Sequence, residues 1–217
     1  PLKLDYSVLT ALAGIAASAH KMALELRLLQ SPVFGEWSEP FGRQQVGSSA
    51  MPFKRNPINA EKIDSLARQL AALPAIAWQN AAHSLLERTL DDSANRRIIL
   101  PEAFLAADEI LRTATTVVRG LRLDETAMAR NLALTRGLFA SQRVLLALVD
   151  KGMSREAAYA LVQDAAMTSW REGRDFREIL DSRGVSRWLP PQELDALFDI
   201  AYYQRNLEVI FRRLESL

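Results

Sequence analysis

Two serines, a lysine and an asparagine share one short stretch, Gly47-Ser48-Ser49-Ala50-Met51-Pro52-Phe53-Lys54-Arg55-Asn56-Pro57. A serine hydroxyl is a poor base or nucleophile at neutral pH unless something stabilises its anion. Lys54 supplies a positive charge for that purpose, or for clamping a substrate carboxylate. Asn56 carries amide donors and an acceptor suited to orienting a carboxylate or an amide. Glu61, a little further on, is placed to hold Lys54 or Asn56. An acid in the first turn of a helix also sits well on dipole grounds alone. Spacing therefore leaves two readings open: an active-site loop, or a structural loop rich in serine and proline.

A second segment, Glu87-Arg88-Thr89-Leu90-Asp91-Asp92-Ser93-Ala94-Asn95-Arg96-Arg97, has a different chemistry. Ser93 and Arg97 are four apart, hence on one helix face, with Ser93 in the first turn. A helix N-terminus furnished with a hydroxyl and an arginine suits a phosphate or another dianion, and Arg88 is placed to close from the other side. The plainer alternative is that Asp91 and Asp92 cap the helix and pair with Arg96 and Arg97.

The elements that must position these groups read as helical. From Asp5 to Gln30 apolar residues form three adjacent stripes: Val8, Ile15, Met22 and Leu29; Leu9, Ala16 and Ala23; Leu12, Ala19 and Leu26. That is a broad face suited to a bundle, and its alanines permit close helix approach. Lys21 and Glu25 form an i,i+4 pair elsewhere on the surface. Residues 31–57 are a long aperiodic segment rich in proline and glycine, of a length that is usually functional or mobile. The helical pattern resumes with Ile63, Leu66, Leu70, Leu73 and Ala77, with a kink expected at Pro74. A third helix is expected from Asp92-Ser93 to Val118, bent at Pro101 and stopped at Gly120. Beyond it the helices shorten, with Asp124 and Ser154 as N-caps, Gly152 and Gly173 as stops and Pro190-Pro191 as a break. The pattern predicts an all-α protein: a helical bundle over 1–120, including the loop 31–57, and a small helical domain over 121–217.

Composition narrows the function. The chain has 217 residues, 49% of them hydrophobic and 24% charged, as in an ordinary globular protein. A net charge of +1 makes no electrostatic case for nucleic acid or an anionic membrane surface. Charged residues interrupt every apolar run before membrane-spanning length. Cysteine is absent, which removes disulfide, thiol and thiolate-metal chemistry and fits a cytoplasmic location. The two histidines, His20 and His83, stand in no metal-ligand spacing, so neither a metal nor another cofactor is expected. The chain starts at Pro1, partway into a helical pattern, and reads as a portion of something longer.

GSSAMPFKRNP followed by Ala60-Glu61-Lys62 resembles the signature loop of the fumarase/aspartase superfamily, and within it most closely adenylosuccinate lyase. ERTLDDSANRR at 87–97 is similar to the phosphate-site segment of that family, and SQRVLLALVDKGMSREAAY at 141–159 to its C-terminal domain. The resemblance implies a long-helix bundle of the fumarase/aspartase type and elimination of fumarate from adenylosuccinate and from the succinyl-aminoimidazole-carboxamide ribotide of purine synthesis. It implies that Ser48 is the general base, with Lys54 and Asn56 stabilising the aci-carboxylate intermediate. Ser49 and Met51 would contact loop and substrate, Glu61 would support the site, and Arg88, Ser93 and Arg97 would hold the nucleotide 5′-phosphate. It further implies a homotetramer whose sites each draw on three subunits, and a general-acid histidine upstream of residue 1, since neither His20 nor His83 lies in a matching segment. Phe53 and Leu86 stand where some relatives carry His or Tyr, and His, respectively. Alternatives are another superfamily lyase or cycloisomerase, or a non-catalytic helical assembly module.

Overall fold

Three long helices carry the first part of the chain. The computed structural model, which describes residues 2–42, 51, 54–86 and 89–216, places α1 at Lys3–Leu29, α2 at Ile58–Ala82 and α3 at Ser93–Arg119. Their shared core is made of Leu9, Ala16, Ala23 and Leu26 from α1, Ile63, Ala67, Leu70 and Ala77 from α2, and Ile99, Ala103, Ile110 and Val117 from α3. Alanines at the seams let the helix axes come close while leucine and isoleucine fill the space between. Leu9 is wholly buried, and truncating it to alanine should cost about 2–5 kcal/mol.

The three stripes of α1 are not equivalent. Leu9, Ala16, Ala19, Ala23 and Leu26 are buried, whereas Val8, Met22 and Leu29 are only partly covered and Ile15 is 45% exposed. By length and composition α1 is apolar enough to cross a membrane, more so than its charge pattern suggests. One face of it is nevertheless committed to α2 and α3. Pro74 and Pro101 lie inside α2 and α3, and both helices continue through them, since each proline removes one backbone hydrogen bond while the flanking packing persists.

At one end of this bundle, two-residue strands β1 (Trp37–Ser38) and β2 (Arg122–Leu123) pair antiparallel, Trp37 opposite Leu123. Gly120 ends α3 beneath them. A Cβ there would fall 2.7 Å from Pro40, so only glycine allows that approach.

The described chain divides into two compact units, Pro1–Met128 and Ala129–Leu217, the division falling within α4 (Glu125–Ala133). Asp124 caps α4 by accepting from the Ala127 amide at 2.9 Å. The second unit holds α5 (Ser141–Asp150), α6 (Arg155–Glu172), α7 (Phe176–Ser182), α8 (Pro191–Ala196), α9 (Ala201–Gln204) and α10 (Leu207–Glu215). Its own core gathers Val144, Leu148, Ala158, Val162, Phe176, Ile179, Leu180 and Leu194. Ser154 caps α6, accepting from the Ala157 amide at 3.2 Å, and Gly173 ends it at φ +68°, a left-handed conformation that favours glycine. Arg143 secures the segment after α8: its guanidinium donates to the carbonyls of Ala196, Leu197 and Asp199 and lies 3.7 Å from the Tyr202 ring centroid.

Candidate active site

The start of α2 and the end of α1 enclose a cavity of about 1290 Å³, lined by Arg27, Gln30, Glu39, Lys54, Asn56 and Glu61 among others. Lys54 and Glu61 are exposed to it and Asn56 is half-buried. The Lys54 amide donates to the Met51 carbonyl at 2.9 Å, and the Ile58 amide to the Asn56 carbonyl at 2.9 Å, so the backbone turns tightly into α2. Met51 is 42% exposed. Ser48 and Ser49 lie outside the described residues.

Two buried carboxylates underpin this end. Asp64, with a side chain 1% exposed, accepts from Arg27 Nη1 and pairs with His20 Nδ1, both at 2.7 Å. That fixes the Arg27 guanidinium at the cavity wall. Glu39 is 2% exposed, and its carboxylate accepts from the backbone amides of Asn59 at 3.1 Å and Ala60 at 3.2 Å, and from Asn59 Nδ2 at 3.2 Å. Burial pushes the Glu39 carboxyl above the usual glutamate value, and the amides of Asn59 and Ala60 pull it back down. The sequence reading missed all of these groups. Each works across 20 to 44 residues of chain, beyond any local spacing rule.

The second segment lies at the start of α3. Ser93 begins the helix and is half-buried, and Arg97, one turn on, is exposed. Arg96 is taken: it pairs with Asp5 and, at 3.5 Å, with Asp92, and the Asp5 carboxylate holds its guanidinium more firmly protonated. No ion pair of Arg97 occurs among the described residues. Asp92 does not cap α3. Its backbone is already helical (φ −76°, ψ −24°), a conformation from which the side chain cannot reach back to the first-turn amides, and its carboxylate turns to Arg96. The Asp91 carboxylate accepts from Thr89 Oγ1. The capping-and-pairing alternative thus holds for Arg96 and fails for Arg97. Asn80 and Asn95 exchange side-chain amide bonds of 2.6 and 2.9 Å, tying the end of α2 to the start of α3. Arg88 lies outside the described residues.

Lys54, Asn56 and Glu61 stand at the N-terminus of α2, and Ser93 and Arg97 just past its C-terminus. The 25-residue α2 is about 36 Å long, and the Asn80–Asn95 pair sets the start of α3 at its far end. One copy of this bundle cannot bring both groups to a single small substrate.

Comparison with known proteins finds relatives for nearly the whole of this chain. Residues 137–214 match the family model described as adenylosuccinate lyase C-terminus, and residues 5–71 the model described as lyase. Adenylosuccinate lyase from Thermotoga maritima is 40% identical over 96% of this chain and 48% of its own length. The Bacillus subtilis enzyme of the same name is 40% identical over 97% and 48%, and that of Deinococcus radiodurans 42% identical over 95% and 47%. The chain spans about half the length of these relatives. Among solved structures, 3-carboxy-cis,cis-muconate lactonizing enzyme from Pseudomonas putida superposes with a TM-score of 0.81 at 29% identity, over 96% of this chain and 45% of that one. Class II fumarase from Schistosoma mansoni shares the fold, with a TM-score of 0.73 at 17% identity, over 89% of this chain and 38% of that one. Over nearly its whole length, and at its C-terminal end by family model, the chain is similar to the adenylosuccinate lyase family.

Proposed function

We propose that the intact protein to which this chain belongs is a cytoplasmic lyase that releases fumarate from adenylosuccinate, leaving AMP, and from the succinyl-aminoimidazole-carboxamide ribotide. The observation that carries the reading is the division of labour at the start of α3: Arg96 is neutralised by two carboxylates while Arg97, beside Ser93, keeps its charge for a ligand. A helix N-terminus with a hydroxyl and an arginine that makes no ion pair among the described residues suits the 5′-phosphate common to both substrates, with Arg88 as a further donor.

In this reading the phosphate anchors the nucleotide, and its binding energy fixes the succinyl group where the chemistry happens. Ser48 takes the Cβ proton. The electron pair left behind delocalises into the adjacent carboxylate, giving an aci-carboxylate dianion. Lys54 and Asn56 lie on the wall where that extra charge must be met, and preorganised donors are worth most where charge develops. The C–N bond then breaks, its pair goes to the purine amino nitrogen, and an acid outside this chain delivers the proton. Ser49 and Met51 would complete the loop and substrate contacts, and Glu61 would support the site from the first turn of α2. All of this needs only side chains, with no metal or other cofactor.

The placing of the two candidate groups at opposite ends of α2 supports assembly. A loop end from one copy and a phosphate end from another complete one site when bundles pack antiparallel, as in a homotetramer. Leu4, Ile15, Leu24 and Leu28 on α1 and Phe104, Leu105 and Leu111 on α3 are exposed apolar residues that such packing would cover. The test is fumarate release from adenylosuccinate by the intact protein, followed at the absorbance of fumarate. No release from either succinyl nucleotide would sink the reading. Carboxymuconate is the substrate to try next, because one structural neighbour at 29% identity acts on it by name.

A further inference from the structure

Helix α2 starts without a cap of its own. Pro57 occupies the N-cap position, and its ring offers no acceptor to the first-turn amides. Those amides are satisfied from Glu39, which reaches them from twenty residues upstream. The carboxylate is buried, its partners are amides, and the positive end of the helix dipole faces it. Gln30 ties the same knot from a third direction. Its Oε1 accepts from the Glu39 amide at 2.9 Å, and its Nε2 donates to the Arg55 carbonyl at 3.0 Å. The segment that carries Glu39 is itself held, because β1 pairs with β2 immediately before it. Chain segments on either side of 43–53 are therefore joined at three points, and the second of those segments carries Lys54 and Asn56.

We infer that Glu39 is a positioning residue for the proposed elimination: it substitutes for the missing cap of α2 and thereby holds Lys54 and Asn56 at the cavity wall. The inference rests on the function proposed above, and it adds a residue that touches neither substrate nor reacting atoms. Displacing a charge-stabilising group by about 1 Å weakens it far more in the transition state than in the bound substrate, so the effect belongs on turnover and not on affinity. Gln30 acts in series with Glu39, through the Arg55 carbonyl.

The experiment uses the intact protein with Glu39→Ala, Glu39→Gln and Gln30→Ala. Amide hydrogen exchange is read at Asn59 and Ala60, and kcat and KM are read with adenylosuccinate. Glu39→Ala should speed exchange at both amides about tenfold or more and lower kcat about tenfold, with KM moving less than about threefold. Glu39→Gln keeps one carbonyl oxygen for the same amides and should recover most of both losses. Gln30→Ala, which leaves the cap carboxylate in place, should give a smaller fall in kcat of the same kind, and it decides the matter if Glu39→Ala does not fold. Unchanged protection of Asn59 and Ala60, a normal kcat per folded molecule, or a Glu39→Gln variant as damaged as Glu39→Ala would each overturn the inference. A wild-type protein that releases no fumarate would instead overturn the proposed function, with the exchange data still deciding whether Glu39 caps α2.

Discussion

The two ends of the helical bundle are built on opposite electrostatic plans. At the start of α2 the buried charges are carboxylates, Glu39 and Asp64, and both serve as fixed acceptors that orient amides, Arg27 and His20. At the start of α3 Asp92 is buried, yet it and Asp5 serve to neutralise one arginine, while its neighbour Arg97 is exposed and makes no ion pair among the described residues. The first plan buys precision, since buried acceptors with defined partners leave little freedom to the groups beside them. The second suits affinity for an anion, which tolerates looser geometry because a phosphate accepts from many directions. On the function proposed above, chemistry is assigned to the first end and anchoring to the second.

The largest effect should come from Ser48. Ser48→Ala in the intact protein should lower kcat by about 10³-fold while nucleotide binding, measured by titration calorimetry, stays within a few-fold of wild type. Retained turnover would remove Ser48 as the base and with it the assignment of chemistry to the first end.

How much of this was legible in the sequence follows from the range of each interaction. Helix extents came through well, because a 3.6-residue period and local caps such as Asp124 and Ser154 are written within one or two turns. Asp92 shows where a local rule misleads: it is an acceptable cap type, but tertiary pairing with Arg96 claims its carboxylate. Pairings with no local trace stayed hidden. Asp64 meets His20 across 44 residues and Arg27 across 37, and Glu39 meets α2 across a segment that reads as loop. The three stripes of α1 could not be ranked from sequence either, because its period records every apolar face, including one left open on a single copy. The candidate site divides the same way. Residue types in the two segments suggested anion chemistry, but only the fold shows that they sit at opposite ends of α2.

The next effect tests the fixed acceptors of the first end. The double change His20→Ala with Arg27→Ala leaves Asp64 buried without its two partners and should cost about 3 kcal/mol in urea unfolding. Asp64→Ala should cost less, about 1–2 kcal/mol, because the partly exposed His20 and Arg27 can turn to water. The reverse ranking would mean that Asp64 is not the group held in place.

At the second end the contrast is between adjacent arginines. Arg97→Ala should raise KM for adenylosuccinate about 10- to 100-fold, the loss of one charge-assisted contact. Arg96→Ala should raise it less than about threefold, since its charge is already met by Asp5 and Asp92. A succinyl compound without phosphate should bind wild type and Arg97→Ala alike. Equal effects of the two substitutions would erase the division between neutralised and available charge.

The smallest effect separates a buried from an exposed glutamate by the sign of its pH dependence. Glu39 is pushed up by burial, so the native state holds its proton more tightly than the unfolded chain does. Its contribution therefore favours the fold in acid and is lost as pH rises through the ordinary glutamate range towards the raised value. Glu109 on α3 is held down by the Lys62 ammonium on α2, at 2.6 Å. Its contribution is present above the ordinary range and is lost as pH falls through the lowered value. Urea midpoints between about pH 7 and pH 3.5 should show this in difference form, given the usual glutamate value. The gap between wild type and Glu109→Gln should shrink towards acid, and the stability of wild type relative to Glu39→Gln should fall as pH rises towards neutrality. High salt should abolish the first gap, because both partners are half-exposed, and spare the second, whose carboxylate is itself buried. If both gaps moved in the same direction with pH, Glu39 would be an ordinary surface-like acid and the distinction between the ends would rest on geometry alone.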